Sequence, residues 1–324
     1  MACPELYCRA AGAGAGRIAG TKCCIINERL SRPPASVRSP SMKAYIELTK
    51  PRITWLILMS TGIGYVFGLS GKWNLFALFH TLMGTALIAS GTAALNQWYE
   101  READAKMRRT SGRPIPSGRV PAARAVWFGV VLSVLGFAEL ALGVNVLAAA
   151  IGLATLVSYL FLYTPLKSRS PVSTTVGAFP GAMPPLIGYA AARGALTVEA
   201  WALYLILFLW QFPHFLSIAW MYRDDYERGG IVMLPVVEPD GGSTARRIVL
   251  YSLALIPVSL APTLLSMTGG WYLAGALVAS SLYFFAGVRV ALNRTALRAR
   301  QVLLASVVYL PVVYGLMILD RRGM

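Results

Sequence analysis

LFALFHTLMGTALIASGTAALNQWYEREADAKMRRTSGRPIPSGR, residues 75–119, sets the terms on which the whole chain must be read. From Leu75 to Leu95 it holds no Asp, Glu, Lys or Arg, and roughly 20 such residues are what an α-helix needs to cross the hydrocarbon of a bilayer. Directly afterwards Glu100, Glu102 and Asp104 are crowded among Arg101, Lys106, Arg108, Arg109, Arg113 and Arg119. A spanning helix that empties into a charged loop points to an all-α, polytopic membrane fold. If that helix runs on for a couple of turns, Asn96, Glu100 and Asp104 recur every fourth residue on one face, with about 6 Å of rise between neighbours. Such a row of oxygen donors could hold a divalent cation and, through it, a phosphate group.

The rest of the chain agrees. Its 324 residues are 56% hydrophobic and 14% charged, far from soluble averages. A net charge of +16 would suit nucleic acid on a soluble fold. Few polar segments are long enough to build one, so nucleic acid is excluded as a partner and the charge is assigned to orientation in the lipid bilayer. Apolar runs at 52–70, 75–97, 122–143, 146–163, 173–192, 198–221, 247–267, 271–290 and 300–319 predict nine transmembrane helices. The fifth contains GAFPGAMPPLIG, whose Gly and Pro residues break or kink a helix; such backbone is tolerated in a bilayer only against protein or a cavity. Alternate loops then face opposite sides. One side carries twenty Lys/Arg, and the other only Lys72, Arg193, Arg321 and Arg322. The positive-inside rule places the N-terminus and the charged loops in the cytoplasm.

Ahead of the first span, residues 1–41 hold all four cysteines, no histidine and the low-complexity run AAGAGAG. That spacing fits neither a zinc site nor a disulfide framework. A disordered extension is expected there, followed by a membrane domain over 42–324. MKAYIELTKPRITW from Met42 reads as a plausible start, which makes the extension dispensable.

A second acidic loop, WMYRDDYERGGIVMLPVV at 220–237, repeats the mixture of acids and bases on the same side, with Lys167 and Arg169 in a loop between. The two acidic loops follow the second and sixth expected spans, the pattern of a four-helix unit duplicated in parallel with a site between the halves. Mg²⁺ prefers one or two carboxylates together with substrate phosphates, and Arg109 and Arg113 could clamp the remaining phosphate oxygens. From spacing alone, a solvated helix end of mixed charge explains the first loop equally well. His214, in WQFPHF at 210–215, reads either as a packing residue or as a haem ligand or general base. Glu139 is an intramembrane carboxylate for which a structural partner is expected, and His80 is read as an interfacial residue.

LTKPRIT (48–54), NxxxExxxDxxMxRTxxRPxPxGR (96–119), YTPLK (163–167), WQFPHF and RDDYERGGIVMLPVV (223–237) together are similar to the UbiA-type intramembrane prenyltransferases, and within them to the haem O synthase (protohaem IX farnesyltransferase) family. The resemblance covers about residues 43 to 320. It implies nine helices around a central cavity open to lipid, Mg²⁺ as cofactor, and farnesyl diphosphate and haem B as substrates. The implied reaction moves the farnesyl group to a haem vinyl group with addition of water, giving haem O and diphosphate. It further implies a multi-pass protein of the cell inner membrane, working beside haem A synthase or a terminal oxidase assembly. Carried over by position, Asn96, Glu100, Asp104 and Asp225 are metal ligands and, with Tyr226, catalytic. Arg52, Arg109, Arg113 and Lys167 face the diphosphate, and His214 touches haem. The wider superfamily has two aspartates four residues apart in its second motif, whereas here Met221 and Gly229 flank Asp225 at that distance. The same resemblance leaves a quinone-precursor prenyltransferase as an alternative; from other classes come a transporter of an anionic lipid or metabolite and an oxidase assembly partner.

Overall fold

The structure, a computed structural model, describes residues 41–322, so the expected disorder of the N-terminal extension lies outside the described residues. A short helix α1 (Met42–Leu48) tucks Ala44 and Leu48 inward and leaves Met42 and Ile46 exposed. Pro51, whose missing N–H costs nothing in a first helical turn, then opens α2 (Pro51–Gly68). The long helix α3 (Leu75–Tyr99) is capped by the Asn74 side chain, which accepts from the Ala77 amide at 3.0 Å. After it come the short α4 (Arg101–Lys106), then α5 (Ala122–Gly143) and α6 (Val146–Leu166).

The expected fifth span is two helices, α7 (Ser173–Gly181) and α8 (Pro184–Arg193). Pro184 and Pro185 bring no amide hydrogens to the carbonyls one turn back, so the ladder stops. Gln211, from the next long helix, ties that helix to the end of α7 by donating to the Ala178 carbonyl at 2.8 Å. The second half comprises α9 (Val198–Met221), the short α10 (Arg223–Arg228) and α11 (Leu234–Val237), and then α12 (Gly242–Leu264), α13 (Gly270–Leu292) and α14 (Ala296–Leu319).

Among the described residues seven helices are long and apolar enough to cross a membrane: α3, α5, α6, α9, α12, α13 and α14. The two other expected spans are α2, which carries Arg52, Thr54, Ser60, Thr61 and Tyr65, and the interrupted α7–α8 pair. Two helices also start earlier than the apolar runs indicate. α12 begins at Gly242 rather than 247, and α14 at Ala296 rather than 300. At the second, Thr295 caps the amide of Arg298 at 3.3 Å, which holds a basic turn in helical form beyond the bilayer-facing stretch.

Lipid tails are as apolar as leucine, so helices in a bilayer associate by close packing of small residues rather than by escape from water. The α2–α8 crossing shows how close. A Cβ on Gly64 would stand 2.0 Å from the Pro185 carbonyl oxygen, and one on Gly188 1.8 Å from that of Thr61. α3 and α5 meet similarly, with Gly136 against the Gly84 carbonyl and Gly91 against that of Gly129, both at 2.7 Å from a hypothetical Cβ. His80 on α3 and Glu139 on α5 pair at 2.6 Å within this contact, so Glu139 has the structural partner expected of it, and His80 is part of a polar pair.

Overpacking a well-filled core costs about 1–3 kcal/mol, and here the obstacle is backbone. Gly188→Leu is therefore expected to lower the thermal unfolding midpoint of the detergent-solubilised protein by several degrees at least; an unchanged midpoint would contradict the close α2–α8 crossing.

Candidate active site at the charged mouth

Asn96 and Gln97 end α3 fully buried, with 1% exposure each, which is unusual for amides at a helix terminus. The chain bends at Glu100, yet the Glu100 amide still bonds to the Asn96 carbonyl at 2.9 Å and the Asp104 amide to that of Glu100 at 2.8 Å. Helical spacing thus survives the bend, and Asn96, Glu100 and Asp104 stay in register as the sequence reading requires. Each polar head then finds a cation. Lys50 Nζ donates to Asn96 Oδ1 at 3.4 Å, Lys167 Nζ to Glu100 Oε1 at 2.6 Å, and Arg113 Nη1 to both oxygens of Asp104 at 2.8 and 2.7 Å. Asp104 has 0% exposure, and a buried carboxylate is tolerable only with such pairing.

The local fold explains how the cations arrive. α6 passes from α-helix into a π-helical stretch at Ser158–Tyr163 before its last turn, and such bulges re-aim the side chains beyond them. Lys167 emerges with Nζ 4.3 Å from the centre of the Tyr163 ring and 5.8 Å from that of Tyr159, a cation–π setting. Gly177 makes room for the Tyr163 ring, since a Cβ there would lie 2.5 Å from it. Arg113 rides on a compact loop, residues 107–120, with its own small apolar core of Ala44, Leu48, Ala94, Ile115, Val120 and Ala125. Arg119 straps that loop to α1 through Glu47 at 2.7 and 3.0 Å.

The second acidic segment closes over the first. Asp225, 7% exposed, accepts the backbone amides of Arg108 and Arg109, both at 3.2 Å, and pairs with Arg228. Next to it Tyr226 accepts from Arg109 Nη2 at 3.2 Å, and the Arg109 guanidinium lies 5.0 Å from the Tyr222 ring centre. Gly229 allows the approach, because a Cβ there would meet Met107 at 2.9 Å. The Val232 amide then bonds to the Lys167 carbonyl at 2.7 Å, so all three charged loops join.

Charge coupling follows from this crowding. Burial would push the Glu100 carboxyl up, but Lys167 beside it holds it below the usual carboxylate range, and the same pair holds Lys167 well above the usual lysine value against its own burial. Desolvation by burial, then the Arg113 charge, drive Lys50 down to about 8. Asp225 also opposes the upward pull of its partial burial, held low by Arg228 and the two amides.

Two residues stand outside the cluster. Arg52 is exposed and makes none of these contacts, whereas Lys50, two residues earlier, reaches the cluster. Lys50 is the N-cap of α2 in a left-handed conformation, φ 48°, one of two positive-φ non-glycine residues among those described; strain of that kind collects at functional sites. The LTKPRIT motif was the signal available for it. His214 lies apart from the carboxylates, in the body of α9, with Nδ1 2.7 Å from Ser306 Oγ. Among the described residues no group of three or more His, Cys, Asp or Glu is placed to hold a metal. Among the described residues two open hollows lie on the flanks, about 420 Å³ by Tyr45 and Trp127 and about 340 Å³ by Phe161 and Arg169, and the acidic residues line neither.

A multi-pass helical membrane protein that gathers buried acids and bases at one end of its bundle has the layout of an intramembrane enzyme for an anionic, lipid-tailed substrate. Residues 57–310 match the sequence model of the UbiA prenyltransferase family. The protoheme IX farnesyltransferase of Solibacter usitatus is 66% identical over 292 residues, covering 87% of this chain and 100% of that protein. Its counterpart in Koribacter versatilis is 48% identical over 91% of this chain and 98% of that one. In fold, the chain is similar to a digeranylgeranylglyceryl phosphate synthase (TM-score 0.72, 18% identity, covering 86% of this chain and 98% of that one). It is also similar to a UbiA homolog from Archaeoglobus fulgidus bound to GPP and Mg2+ (TM-score 0.59, 16% identity, covering 85% and 99%). The chain belongs to the UbiA prenyltransferase family.

Because the Asp225 carboxylate joins the two halves through backbone amides, Asp225→Ala is expected to raise hydrogen exchange at Arg108 and Arg109 about tenfold or more while leaving α5 and α14 protected. Equal protection in variant and parent would show that the clamp does not hold the loop.

Proposed function

We infer that this chain transfers the farnesyl group of farnesyl diphosphate to a vinyl group of protohaem IX (haem B), with addition of water, giving haem O and diphosphate. The observation that carries the choice of substrates is the 66% identity to a protoheme IX farnesyltransferase along that protein's entire length. What supports the placement of the chemistry is the joining of two acidic segments, 116 residues apart at the Arg109–Asp225 contact, into one base-lined cluster.

Asn96, Glu100, Asp104 and Asp225 are the residues we assign to Mg²⁺. They suit it in kind, as one amide carbonyl and three carboxylates, all hard oxygens, although among the described residues no three acids converge and each of these carboxylates rests on a base. A UbiA homolog of the same fold was solved with GPP and Mg2+, which supports the assignment. When bound, the metal would supply further positive charge to the departing diphosphate. The protein's own part is electrostatic and steric. Lys50, Arg113 and Lys167, now on Asn96 and the carboxylates, and Arg109, now on Tyr226, lie where each can turn a donor to a phosphate oxygen. Charge that grows on the leaving oxygen as the farnesyl C1–O bond breaks is thus met by donors already in place. The electron pair leaves with diphosphate, the vinyl π-electrons form the new C–C bond, and water captures the resulting cation with loss of a proton. Apolar walls keep water from the farnesyl cation until that bond exists. The charge bias of the loops supports a cell inner membrane location with the mouth in the cytoplasm, and the product supports a place beside haem A synthase or a terminal oxidase assembly.

Two outcomes are expected on mixing the purified protein with farnesyl diphosphate, haem B and Mg²⁺ and analysing haems by mass spectrometry. The parent makes haem O, and Asp104→Ala lowers conversion by a factor of 100 or more with its helical content kept, the scale on which single charge-stabilising groups act. Conversion by Asp104→Ala at the parent rate would remove the site assignment, and the absence of haem O from the parent would remove the substrate assignment. Lys50→Met is expected to raise KM for farnesyl diphosphate about tenfold, and Arg52→Ala to change it less than twofold; the reverse order would return the diphosphate contact to Arg52.

A further inference from the structure

The hydroxyl of Ser306 bears on which nitrogen of His214 carries the proton. Ser306 lies on α14, where its Oγ donates to the Leu303 carbonyl at 2.6 Å. A hydroxyl has one proton to give; with that proton on the Leu303 carbonyl, the serine oxygen accepts in the 2.7 Å contact with His214 Nδ1 and the imidazole donates. No carboxylate contacts His214 among the described residues, so nothing there compensates a charged ring, and a partly buried ring of this kind stays neutral. The proton therefore sits on Nδ1, and Nε2 carries a bare lone pair. Within the described residues Nε2 has no hydrogen-bond partner, and it is not one of the fully sealed, unpartnered atoms, so it keeps some accessible surface.

The same serine fixes the plane of the ring. Trp210, one turn earlier on α9, donates Nε1–H to the Ser306 carbonyl at 2.9 Å and stacks on His214 with 4.9 Å between ring centres and 23° between planes. Tyr283 from α13 holds the Trp210 carbonyl at 3.1 Å. One residue of α14 thus docks two successive rings of α9, one through its backbone and one through its hydroxyl. His214 stands seven residues, about 10 Å along the helix, before α9 ends at Met221, where the Asp225 segment begins.

We propose that Ser306 is a positioning residue for the transfer: it locks His214 in the Nδ1–H tautomer so that Nε2 takes the iron of the acceptor porphyrin axially, which fixes the direction in which the vinyl group is presented. Neutral imidazole with one nitrogen tied down is the form that ligates metals. The proposal rests on the haem-farnesylating reading given above.

The test uses the full chain in lipid nanodiscs. Its two histidines, His80 and His214, give only two pairs of ring-nitrogen signals after ¹⁵N-histidine labelling, and His214→Ala assigns them. The parent is expected to show His214 protonated at Nδ1, and Ser306→Ala to show mixed tautomers. Titration with haem B should give a histidine-ligated absorption spectrum that His214→Ala loses. Ser306→Ala should weaken haem binding about tenfold with KM for farnesyl diphosphate unchanged, and Ser306→Thr should restore it. An Nε2–H tautomer in the parent, or haem spectra and affinities unaltered in both alanine variants, overturns the proposal. If the parent makes haem O while those results fail, the tautomer argument alone falls; if the parent makes none, the underlying reading falls instead.

Discussion

A single carboxylate, that of Asp225, ties the two halves of this chain together at the charged end. By accepting the amides of Arg108 and Arg109 it fixes the backbone of a loop from the first half, and with it the starting points of the Arg109 and Arg113 side chains. Backbone amides are the right donors for such a joint, because they cannot swing away as lysine or arginine heads can. Everything built on the loop inherits that anchor: Arg113 on Asp104, Arg109 on Tyr226, and the small apolar core beneath. The bilayer makes the anchor more necessary. Helices there have no hydrophobic drive toward one another, so the register of the halves must come from close glycine crossings within the membrane and from polar joints at its edge.

The buried carboxylates of the mouth, Glu100, Asp104 and Asp225, are each matched by a base, and the match has a chemical meaning. A cluster of bare acids would repel a diphosphate, and a cluster of bare bases would bind product as tightly as substrate. Pairing keeps the donors loaded and aimed while leaving both partners able to exchange when a metal and a phosphate arrive together. The tyrosine rings under Lys167 add a weaker, non-ionic hold on the same ammonium, so that it is not lost to solvent during an exchange.

The apolar runs and the two acidic loops were legible because they obey simple periods: about 20 residues for a span, four for a face, and a break wherever Pro-Pro interrupts a helix. The register of Asn96, Glu100 and Asp104 was legible for the same reason. Lys50 was not. Whether Lys50 or Arg52 turns inward is decided by the left-handed backbone at the helix start, and no count of residues along LTKPRIT reveals that twist. Nor could the partner of His214 be read ahead, since Ser306 lies 92 residues downstream and serine is common on buried helix faces. The start of α14 at Ala296, beyond its apolar run, was missed because the Thr295 cap and not hydropathy sets it.

The π-helical stretch at Ser158–Tyr163 carries a last consequence. It takes up one residue more than an α-helical turn would, and each residue of an α-helix is worth about 100° of rotation. Remove that residue and Lys167, with Tyr163 beside it, would turn away from Glu100 and point along another side of the bundle, although no amino acid at the mouth had changed. The distance in residues from Asn145, where α6 is capped, to Lys167 is therefore as much a part of this enzyme as the identities at either end.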